Sequence, residues 1–492
     1  MASEHTADPV TPPDPSTRPA APGGPTRILI LGGGYVGMYT ALRLQKRLRG
    51  ELRRGEVTVT VVDPQSYMTY QPFLPEAAAG NLEPRHVVAP LRRVLRRCTL
   101  LNGEVTRIDH ASRTVTVRPA GAGGPGVEER EVGYDRLVVA LGSVSRTLPI
   151  PGLAECGIGF KTVEEAIYLR NHVLHQMDVA ASNPGDLEVR RRALTFVFVG
   201  AGFAGIEALA ELEDMARDAC RWYPNIEAKD MRWMMVEASD RILPEVGPEM
   251  GRWTAEALRA RGIEIKMNTL LKSAEGRHVV LSDGEEFDAG TLVWTAGVKP
   301  HPVIRRSDLP VDDKGRITST PELTVEGLDG VYAAGDNAAV PDLTDTGDFT
   351  APNAQHAVRQ AKRLGDNIVA DLRGKGRKPY VHAYVGSVAG LGLHKGVANV
   401  YGVKLRGILA WFMHRTYHLS RMPTANRKMR VTADWTLALF FRREIVSLGE
   451  LEWPRQEFEL AAGRRPPGGT GGAGGAEGAD GNGENGEDDG AG

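Results

Sequence analysis

The sequence is poor in cysteine and has no long apolar run, and each absence argues against a class of protein. Its 492 residues include three cysteines, Cys98, Cys156 and Cys220, which lie far apart without CxxC or metal-ligand spacing. This pattern argues against a disulfide framework and predicts buried, unreactive thiols in a reducing compartment. Because no run of about 18 apolar residues occurs, the sequence predicts no transmembrane helix, and any membrane contact must be peripheral.

The chain also lacks a surplus of positive charge. Its formal net charge is −2, which argues against a general nucleic-acid-binding protein, because counterion release requires a basic face. With 41% hydrophobic and 25% charged residues, the sequence predicts a globular protein of two or three domains. Residues 1–26 are rich in proline, and residues 464–492 are rich in glycine and acidic side chains. Both ends are therefore predicted to be disordered.

A glycine-rich turn follows the first apolar strand, predicted over Ile28–Leu31. Gly32, Gly34 and Gly37 form the pattern G-x-G-x-x-G, a helical periodicity follows, and the next apolar strand, VTVTVVD, ends in Asp63. Glycines let a backbone turn tightly and approach a pyrophosphate at a helix N-terminus, and a carboxylate can accept hydrogen bonds from a ribose. The segment predicts a dinucleotide-binding βαβ unit.

A second copy of this pattern follows the strand predicted over Leu194–Val199. Gly200, Gly202 and Gly205 form the turn, and the strand MRWMMVE ends in Glu237. A carboxylate at this position accepts hydrogen bonds from the adenosine ribose and repels a 2′-phosphate, so Glu237 predicts NADH rather than NADPH. Two such units in one chain predict two nucleotides held face to face.

The arrangement of these motifs resembles the two-dinucleotide-binding flavoprotein superfamily, which binds FAD and a nicotinamide dinucleotide. Three further segments are similar to that superfamily: YDRLVVALGS (134–143), TLVWTAGVKP (291–300) and LDGVYAAGDNA (328–338). The resemblance implies that Asp336 contacts the ribityl and phosphate region of the flavin. It also implies cofactor contacts at Gly142, Gly297 and Gly335.

The stretch QSYMTYQPFLPEAAAG (65–80) narrows the resemblance. Disulfide reductases carry a cysteine pair here, and this chain has none, so thiol–disulfide chemistry is excluded. Instead the stretch resembles type II NADH dehydrogenases, single-subunit enzymes that pass electrons from NADH through FAD to a quinone. GAGFAGIE (200–207) and TAPNAQHAVRQA (350–361) are also similar to that family, and the resemblance extends from about residue 27 to about residue 460.

The resemblance assigns candidate catalytic residues. Glu207 matches a family glutamate near the flavin and nicotinamide, which implies proton handling or ring positioning; a plain helix N-terminal charge is the alternative. Gln355 matches a glutamine on the quinone side of the flavin. Where a second glutamine is expected, this chain has Arg359, followed by Gln360. This departure leaves open that the helix only packs against its neighbours.

Residues 372–433 contain no Asp or Glu but twelve Lys and Arg. Within them, VKLRGILAWFMHRTYHL (403–419) is predicted to form a helix with Leu405, Ile408, Leu409 and Phe412 on one stripe, and the apolar stretch WTLALFF follows at 435–441. A basic amphipathic segment favours the surface of an anionic membrane. The alternative is that these stripes pack against the core or against a second subunit in a homodimer.

His414 and His418 are spaced i, i+4, as two metal ligands on a helix are. No third ligand is nearby in the sequence, so a surface or core pair is favoured and no metal is predicted.

The predicted fold class is α/β, with two Rossmann-like domains, the NAD domain being inserted in the FAD domain. We expect the FAD domain at 27–154 and 298–380, the NAD domain at 155–297, and a C-terminal membrane- or partner-docking module at 381–463. The resemblance implies a non-proton-pumping NADH dehydrogenase on the cytoplasmic side of the cell membrane, reducing a quinone such as menaquinone. Two alternatives remain: a soluble NADH-dependent flavin reductase with another acceptor, and a redox-sensing protein that binds FAD and NADH without turnover.

Overall fold

The computed structural model describes residues 24–121, 128–344, 347–382 and 385–447. The predicted N-terminal arm, apart from its last three residues, and the predicted glycine-rich tail lie outside the described residues. The predicted C-terminal module is described as far as residue 447.

The strands, numbered in chain order, fall into two large sheets and several small ones. They are β1 (Thr26–Leu31), β2 (Val57–Asp63), β3 (Tyr67–Thr69), β4 (Val88–Pro90), β5 (Thr99–Asp109), β6 (Thr114–Pro119), β7 (Arg130–Gly133), β8 (Arg136–Val139), β9 (Ser143–Ser145), β10 (Gly157–Ile158), β11 (Thr195–Val199), β12 (Arg232–Val236), β13 (Glu264–Lys266), β14 (Leu271–Ser273), β15 (His278–Leu281), β16 (Glu286–Asp288), β17 (Thr291–Trp294), β18 (Val298–Pro300), β19 (Ile317–Thr318), β20 (Val331–Ala333), β21 (Ala338–Ala339), β22 (Gly386–Gly390), β23 (Gly396–Val400) and β24 (Val403–Arg406).

The α-helices are numbered in the same way. They are α1 (Tyr35–Arg47), α2 (Arg49–Arg54), α3 (Leu74–Ala78), α4 (Leu91–Val94), α5 (Leu153–Cys156), α6 (Val163–Ser182), α7 (Leu187–Ala193), α8 (Phe203–Ala219), α9 (Pro248–Arg259), α10 (Ala354–Leu372), α11 (Gly407–Arg421) and α12 (Ala425–Leu437).

The first large sheet has the order β20-β8-β1-β2-β5-β6-β7. Pairing is parallel from β20 to β5 and antiparallel from β5 to β7. The run Ile28–Leu31 in β1 is buried, as a central parallel strand covered on both faces requires. Because β20 pairs with β8, the chain comes back to this sheet after forming the second one.

The second large sheet has the order β10-β17-β11-β12-β13, and every pair in it is parallel. β11 is buried along its whole length, and the ring of Phe196 stacks on Trp233 of β12 at 4.2 Å between centroids. An antiparallel pair, β9 with β18, joins the chain segments that leave and re-enter the first sheet. These two sheets confirm the predicted α/β fold class with two Rossmann-like units.

The C-terminal segment forms the antiparallel sheet β22-β23-β24 followed by α11 and α12. The prediction of one helix over 403–419 was wrong at its start. Leu405 lies in β24, where it pairs with Ala398, and the helix begins at Gly407, whose φ of +63° suits glycine at the bend. The helical interpretation missed this strand because only Leu405 among its four residues is half-buried and the other three are exposed, so the segment shows no period of two.

No helix within the described residues combines the length and the apolarity that crossing a bilayer requires. The three cysteines are free and half-buried, rather than fully buried as the sequence predicted. Burial nevertheless raises the pKa of the Cys98 thiol to about 12, which keeps it protonated and unreactive.

Replacing Gly37 with Ala should destabilise the protein. The added Cβ would lie 1.7 Å from the backbone oxygen of Gly32, so α1 must move away from β1. Overpacking against backbone costs about 1–3 kcal/mol or more of unfolding free energy, measurable by urea denaturation. The control is Gly50→Ala in α2, where the Cβ would lie 3.2 Å from the flexible end of Arg54. Equal stability of the two variants would contradict the close packing of α1 on β1.

Candidate functional site

The first glycine turn joins β1 to α1, and its three glycines, Gly32, Gly34 and Gly37, have different surroundings. Gly32 has φ +98°, which favours glycine, and a Cβ there would lie 2.3 Å from the Ala140 oxygen. A Cβ on Gly37 would collide with Gly32 itself, whereas one on Gly34 would meet nothing within 4 Å. Gly34 is the residue before α1 begins, so the open space lies at a helix N-terminus, where a pyrophosphate is favoured.

The second glycine turn, from β11 to α8, repeats this geometry. Gly200 has φ +106°, a Cβ on Gly202 would meet nothing within 4 Å, and a Cβ on Gly205 would lie 2.0 Å from the Gly200 oxygen. Thr295 secures the turn, because its hydroxyl donates to the carbonyl oxygens of Val199 and Gly200, each at 2.9 Å. The chain therefore has two glycine turns of the same geometry, Gly32–Gly37 and Gly200–Gly205, each of which fits a dinucleotide. Each turn is called a cradle below.

Each cradle has a carboxylate at the end of the neighbouring strand. Asp63 Oδ2 accepts a hydrogen bond from the Gly33 N–H at 2.6 Å, and burial raises the pKa of Asp63, opposed by this bond and by one from the Gln65 N–H. Glu237 Oε2 accepts from the Ala201 N–H at 2.6 Å, while Oε1 accepts from the backbone and hydroxyl of Ser239. Both carboxylates are thus anchored beside the glycine turns, where a ribose hydroxyl would need them.

The third motif, near Asp336, contains a chain of polar contacts. The Ser143 hydroxyl donates to Asp336 Oδ2 at 2.7 Å, and the Lys161 ammonium donates to Ser143 Oγ, also at 2.7 Å. Burial lowers the pKa of Lys161, and the charges of Asp336 and Glu165 oppose this effect. The sequence reasoning missed Lys161, although it stands directly before the helix-capping sequence Thr162-Val-Glu-Glu165 that fixes its backbone.

Two fully buried amides hold this motif in place. Asn337 accepts a hydrogen bond from the Gly142 N–H at 2.9 Å and donates to the Val139 carbonyl at 3.1 Å. Gln360 accepts from the Gly335 N–H at 2.7 Å. Gln360 therefore supports the motif from α10, and no local sequence signal distinguishes such a buried amide from an exposed one.

Gly142 and Gly297 lie at the ends of the strands that return from the two large sheets. Their φ angles are +64° and +93°, and a Cβ on either would meet nothing within 4 Å. The β9–β18 pair directly follows both glycines and brings the two loops side by side. The two cradles, one on each sheet, are thereby connected at their carboxyl-terminal edges.

Glu207 lies one turn into α8 and is only 7% exposed. Its Oε1 accepts a hydrogen bond from the Gly390 N–H at 2.8 Å and lies 3.1 Å from Nε2 of His414. The sequence left open an ordinary helix N-terminal charge; burial against β22 and α11 sets Glu207 apart from an exposed helix-end carboxylate.

Gln355 and Arg359 occupy successive turns at the start of α10. The Gln355 amide donates to the Gly386 carbonyl of β22 at 3.0 Å, and Arg359 Nη1 lies 3.0 Å from His382 Nδ1. The structure therefore brings Gln355 and Glu207 to the same small sheet, at opposite ends of β22. Arg359, the departure from the family pattern, is turned toward the polar group of His382, His356 and Tyr380.

His414 and His418 are adjacent on α11, with ring centroids 4.6 Å apart. They form a core pair, one of the two outcomes that the sequence favoured. Over the part of the chain that the structure describes, no group of three or more His, Cys, Asp or Glu is arranged to hold a metal ion.

Comparison with known families and proteins gives concordant results. The family model described as pyridine nucleotide-disulphide oxidoreductase matches residues 23–361. The type II NADH:quinone oxidoreductase of Staphylococcus haemolyticus is 31% identical over 394 residues, which cover 79% of this chain and 93% of that protein. A probable NADH dehydrogenase of Dictyostelium discoideum is 28% identical over 426 residues, 86% of this chain and 91% of that protein.

A solved structure shows the same fold. NDH2 of Plasmodium falciparum, in complex with NADH, superposes with a TM-score of 0.77 at 18% sequence identity, covering 86% of this chain and 99% of that one. At this identity the likeness establishes the fold.

Replacing Glu237 with Gln should weaken the discrimination between the two nicotinamide dinucleotides. The amide cannot repel a 2′-phosphate and accepts ribose hydrogen bonds less strongly, so we expect the preference for NADH over NADPH to fall about tenfold or more. The preference is measured as the ratio of the rates at which NADH and NADPH bleach the flavin absorbance. Glu286→Gln, an exposed carboxylate on β16 in the separate small sheet β14-β15-β16, is the control. An unchanged preference in the Glu237 variant would remove this residue from the site.

Proposed function

Because the chain belongs to the pyridine nucleotide-disulphide oxidoreductase family, and among its members to the type II NADH:quinone oxidoreductases, we propose that it oxidises NADH and reduces a quinone. The observation that carries this proposal is the duplicated cradle. Two glycine turns of the same geometry, each with an anchored carboxylate, lie on two sheets whose carboxyl-terminal edges are joined. Such an arrangement holds two dinucleotides so that electrons can pass between them.

We assign FAD to the cradle of Gly32, Gly34 and Gly37, with Asp63 at its ribose and Asp336 at its ribityl and phosphate region. The division into an FAD domain (27–154 and 298–380) and an NAD domain (155–297) is supported by the return of β20 to the first sheet. When bound, FAD supplies a two-electron carrier between NADH and the acceptor. The glycine turns orient the pyrophosphate, and Lys161 and Ser143 hold the Asp336 carboxylate in place.

We assign NADH to the cradle of Gly200, Gly202 and Gly205, with Glu237 at its ribose. The loops of Gly142, Gly297 and Gly335 provide open backbone where the two cofactors approach each other. A disulfide acceptor is disfavoured, since residues 65–80 contain no cysteine and the thiol of Cys98 stays protonated. Glu207 and Gln355 both hydrogen-bond to β22. We propose that they lie on the side of the flavin where the quinone binds.

The direct test follows the two half-reactions separately in anaerobic stopped-flow experiments with the FAD-loaded protein. We expect NADH to bleach the flavin absorbance and a menaquinone analogue to restore it, in both cases faster than steady-state turnover, which is the kinetic pattern of alternating substrates. Ferredoxin and ferricyanide are the comparison acceptors.

The same experiment separates the alternatives. A soluble flavin reductase would be reoxidised by ferredoxin or a small acceptor and not by menaquinone. A redox sensor would bind NADH without rapid recovery by any acceptor. Either result would contradict the proposed function.

We further propose that the enzyme is peripheral to the cytoplasmic face of the cell membrane. Large apolar side chains are exposed on α11 and at the end of α12 with the turn that follows it: Ile408, Leu409 and Phe412 on α11, Leu437 at the end of α12, and Leu439, Phe440 and Phe441 in the turn. Exposed apolar groups in this number favour a bilayer or a protein partner. Arg442 follows Phe441 in the sequence, and a basic side chain beside exposed apolar groups is attracted to an anionic lipid surface.

The basic residues of this region contribute less to that surface than the sequence suggested. Six of the twelve form ion pairs with acidic residues from elsewhere in the chain: Arg373 with Glu51, Arg377 with Asp371, Lys395 with Asp214, Lys404 and Arg406 with Glu249, and Arg415 with Glu76. The absence of acidic residues in 372–433 therefore reflects partners supplied by other elements. Membrane binding is expected to depend on the apolar side chains more than on net charge.

The double variant Phe440→Glu/Phe441→Glu should lose binding to vesicles. An aromatic side chain can bury about 150–250 Å² in a membrane, whereas a carboxylate at the same place opposes insertion. Co-sedimentation with phosphatidylglycerol vesicles should therefore fall to background while NADH bleaching of the flavin is unchanged. Trp222→Glu, which alters another exposed aromatic side chain, is the control. If the double variant still sediments with vesicles and instead changes from dimer to monomer in analytical ultracentrifugation, a second copy of the chain covers this surface.

A further inference from the structure

Reduction of a quinone by NADH consumes a proton from water. The overall reaction, NADH + H⁺ + quinone → NAD⁺ + quinol, balances only if one proton joins the hydride, because the hydride carries two electrons and a single proton equivalent. This inference rests on the proposed function. Each turnover therefore requires one solvent proton to arrive at the acceptor site.

A line of titratable side chains runs inward along α11 to Glu207. His414 is 3% exposed, and its Nε2 lies 3.1 Å from Glu207 Oε1. His418, one turn later, is only partly buried, and its ring meets the His414 ring edge-on with centroids 4.6 Å apart. The line thus connects the half-buried residue His418 to the buried Glu207 carboxylate through the buried His414 imidazole.

Neighbouring groups fix the outer imidazole. The Tyr70 hydroxyl lies 3.3 Å from His418 Nδ1, and the Tyr417 ring packs against His418 at 5.1 Å between centroids. Beyond Tyr70, the Tyr39 hydroxyl donates to the Arg421 carbonyl at the end of α11. These contacts orient the His418 ring without adding a carboxylate.

The inner imidazole has a different environment. Three carboxylates face it: Glu207 and Glu211 from α8, and Glu76 from α3. Burial by itself lowers the pKa of His414, but these carboxylates, Glu207 foremost, raise it above the ordinary histidine value. The Glu76 carboxylate is also bound by Arg415 at 2.7 Å, and burial next to Glu76 raises the pKa of Glu211 to about 7.

The two imidazoles therefore differ in proton affinity in a definite direction. Burial and the neighbouring His414 hold the pKa of His418 well below its ordinary value. Transfer of a proton from His418 to His414 is therefore favoured, because the carboxylates around His414 stabilise its charged form. An imidazole can take a proton on one ring nitrogen and release it from the other, as this passage requires.

We propose that His418 and His414 form a proton relay that supplies Glu207 with the solvent proton consumed when the quinone is reduced. A solvent proton forms an N–H bond on one ring nitrogen of His418 as the other nitrogen releases its proton to His414. His414 in turn releases a proton from Nε2, and an O–H bond forms on Glu207 Oε1. Glu207 gives this proton to the reduced quinone and is again a carboxylate. Glu207 takes the catalytic position, and the two histidines act through it.

Stopped-flow measurements of the FAD-loaded enzyme test the relay in the variants His414→Gln and His418→Gln. Flavin bleaching by NADH needs no relay, so its rate should stay within about twofold of wild type, while recovery with a menaquinone analogue should slow on the order of tenfold or more. The slowed step should increase in rate at lower pH and on adding imidazole. His172→Gln is the matched control, because His172 is half-buried as His418 is, burial lowers its pKa to about 4, and its Nε2 lies 3.1 Å from the Gly290 oxygen.

A spectroscopic titration tests the same pair without turnover. In holoenzyme labelled with ¹³C at histidine Cε1, the two variants assign the resonances of His414 and His418 among the twelve histidines. The His414 midpoint should lie above that of a free histidine and should fall in Glu207→Gln. If His414→Gln does not fold, His418→Gln and Glu207→Gln still provide both measurements.

The outcomes are distinguishable from those of the proposed function. Wild-type enzyme that is bleached by NADH but not reoxidised by the quinone would overturn the function, and the relay with it. Wild-type behaviour in both half-reactions, combined with unchanged recovery rates and pH profiles in the histidine variants, would overturn the relay alone. A His414 midpoint unaffected by Glu207→Gln would do the same.

Discussion

The contact between a helix and a strand at each glycine turn is the constraint on which the other features depend. At Gly37 and at Gly205 the helix backbone approaches the preceding turn so closely that no side chain fits, and at Gly34 and Gly202 the same closeness leaves an open space in front of the helix N-terminus. Packing and ligand binding are therefore satisfied by one backbone geometry. The carboxylates of Asp63 and Glu237 hydrogen-bond to these turns, so the ribose sites are positioned by the same contacts.

Helix α8 connects this nucleotide geometry to the C-terminal segment. Its N-terminus belongs to the second cradle, while its body carries three buried glutamates with partners from distant elements. Glu207 contacts Gly390 and His414, Glu211 accepts from Asn81, and Glu213 pairs with Arg217 and Arg261. Burying carboxylates is costly unless they are bonded in this way, so α8 and its covering elements form one unit. Removal of the β22–β24 sheet and α11 would leave Glu207 without its partners.

The sequence predicts much of the fold because the Rossmann signals are local. β2 has the predicted bounds Val57–Asp63, and β11 and β12 lie within one residue of theirs, since a buried parallel strand followed by a glycine turn is a short-range pattern. The C-terminal segment was harder. Glu76 and Arg415 are 339 residues apart, so their ion pair has no local signature, and Arg415 was counted with the surface charges. Leu405 was placed on a helix because a four-residue strand is too short to show its period.

The site residues too could be predicted from the sequence only where their role depends on local backbone geometry. Backbone geometry is encoded by glycine, which is why the cradles are visible in sequence, whereas side-chain environments depend on which distant elements pack together. His414 and His418 have the same spacing whether they are exposed, buried or metal-bound. Only the packing of α11 against α3 and α8 surrounds His414 with three carboxylates and leaves His418 with tyrosines. That asymmetry gives two identical side chains opposite shifts in proton affinity, and a direction for proton movement follows from it.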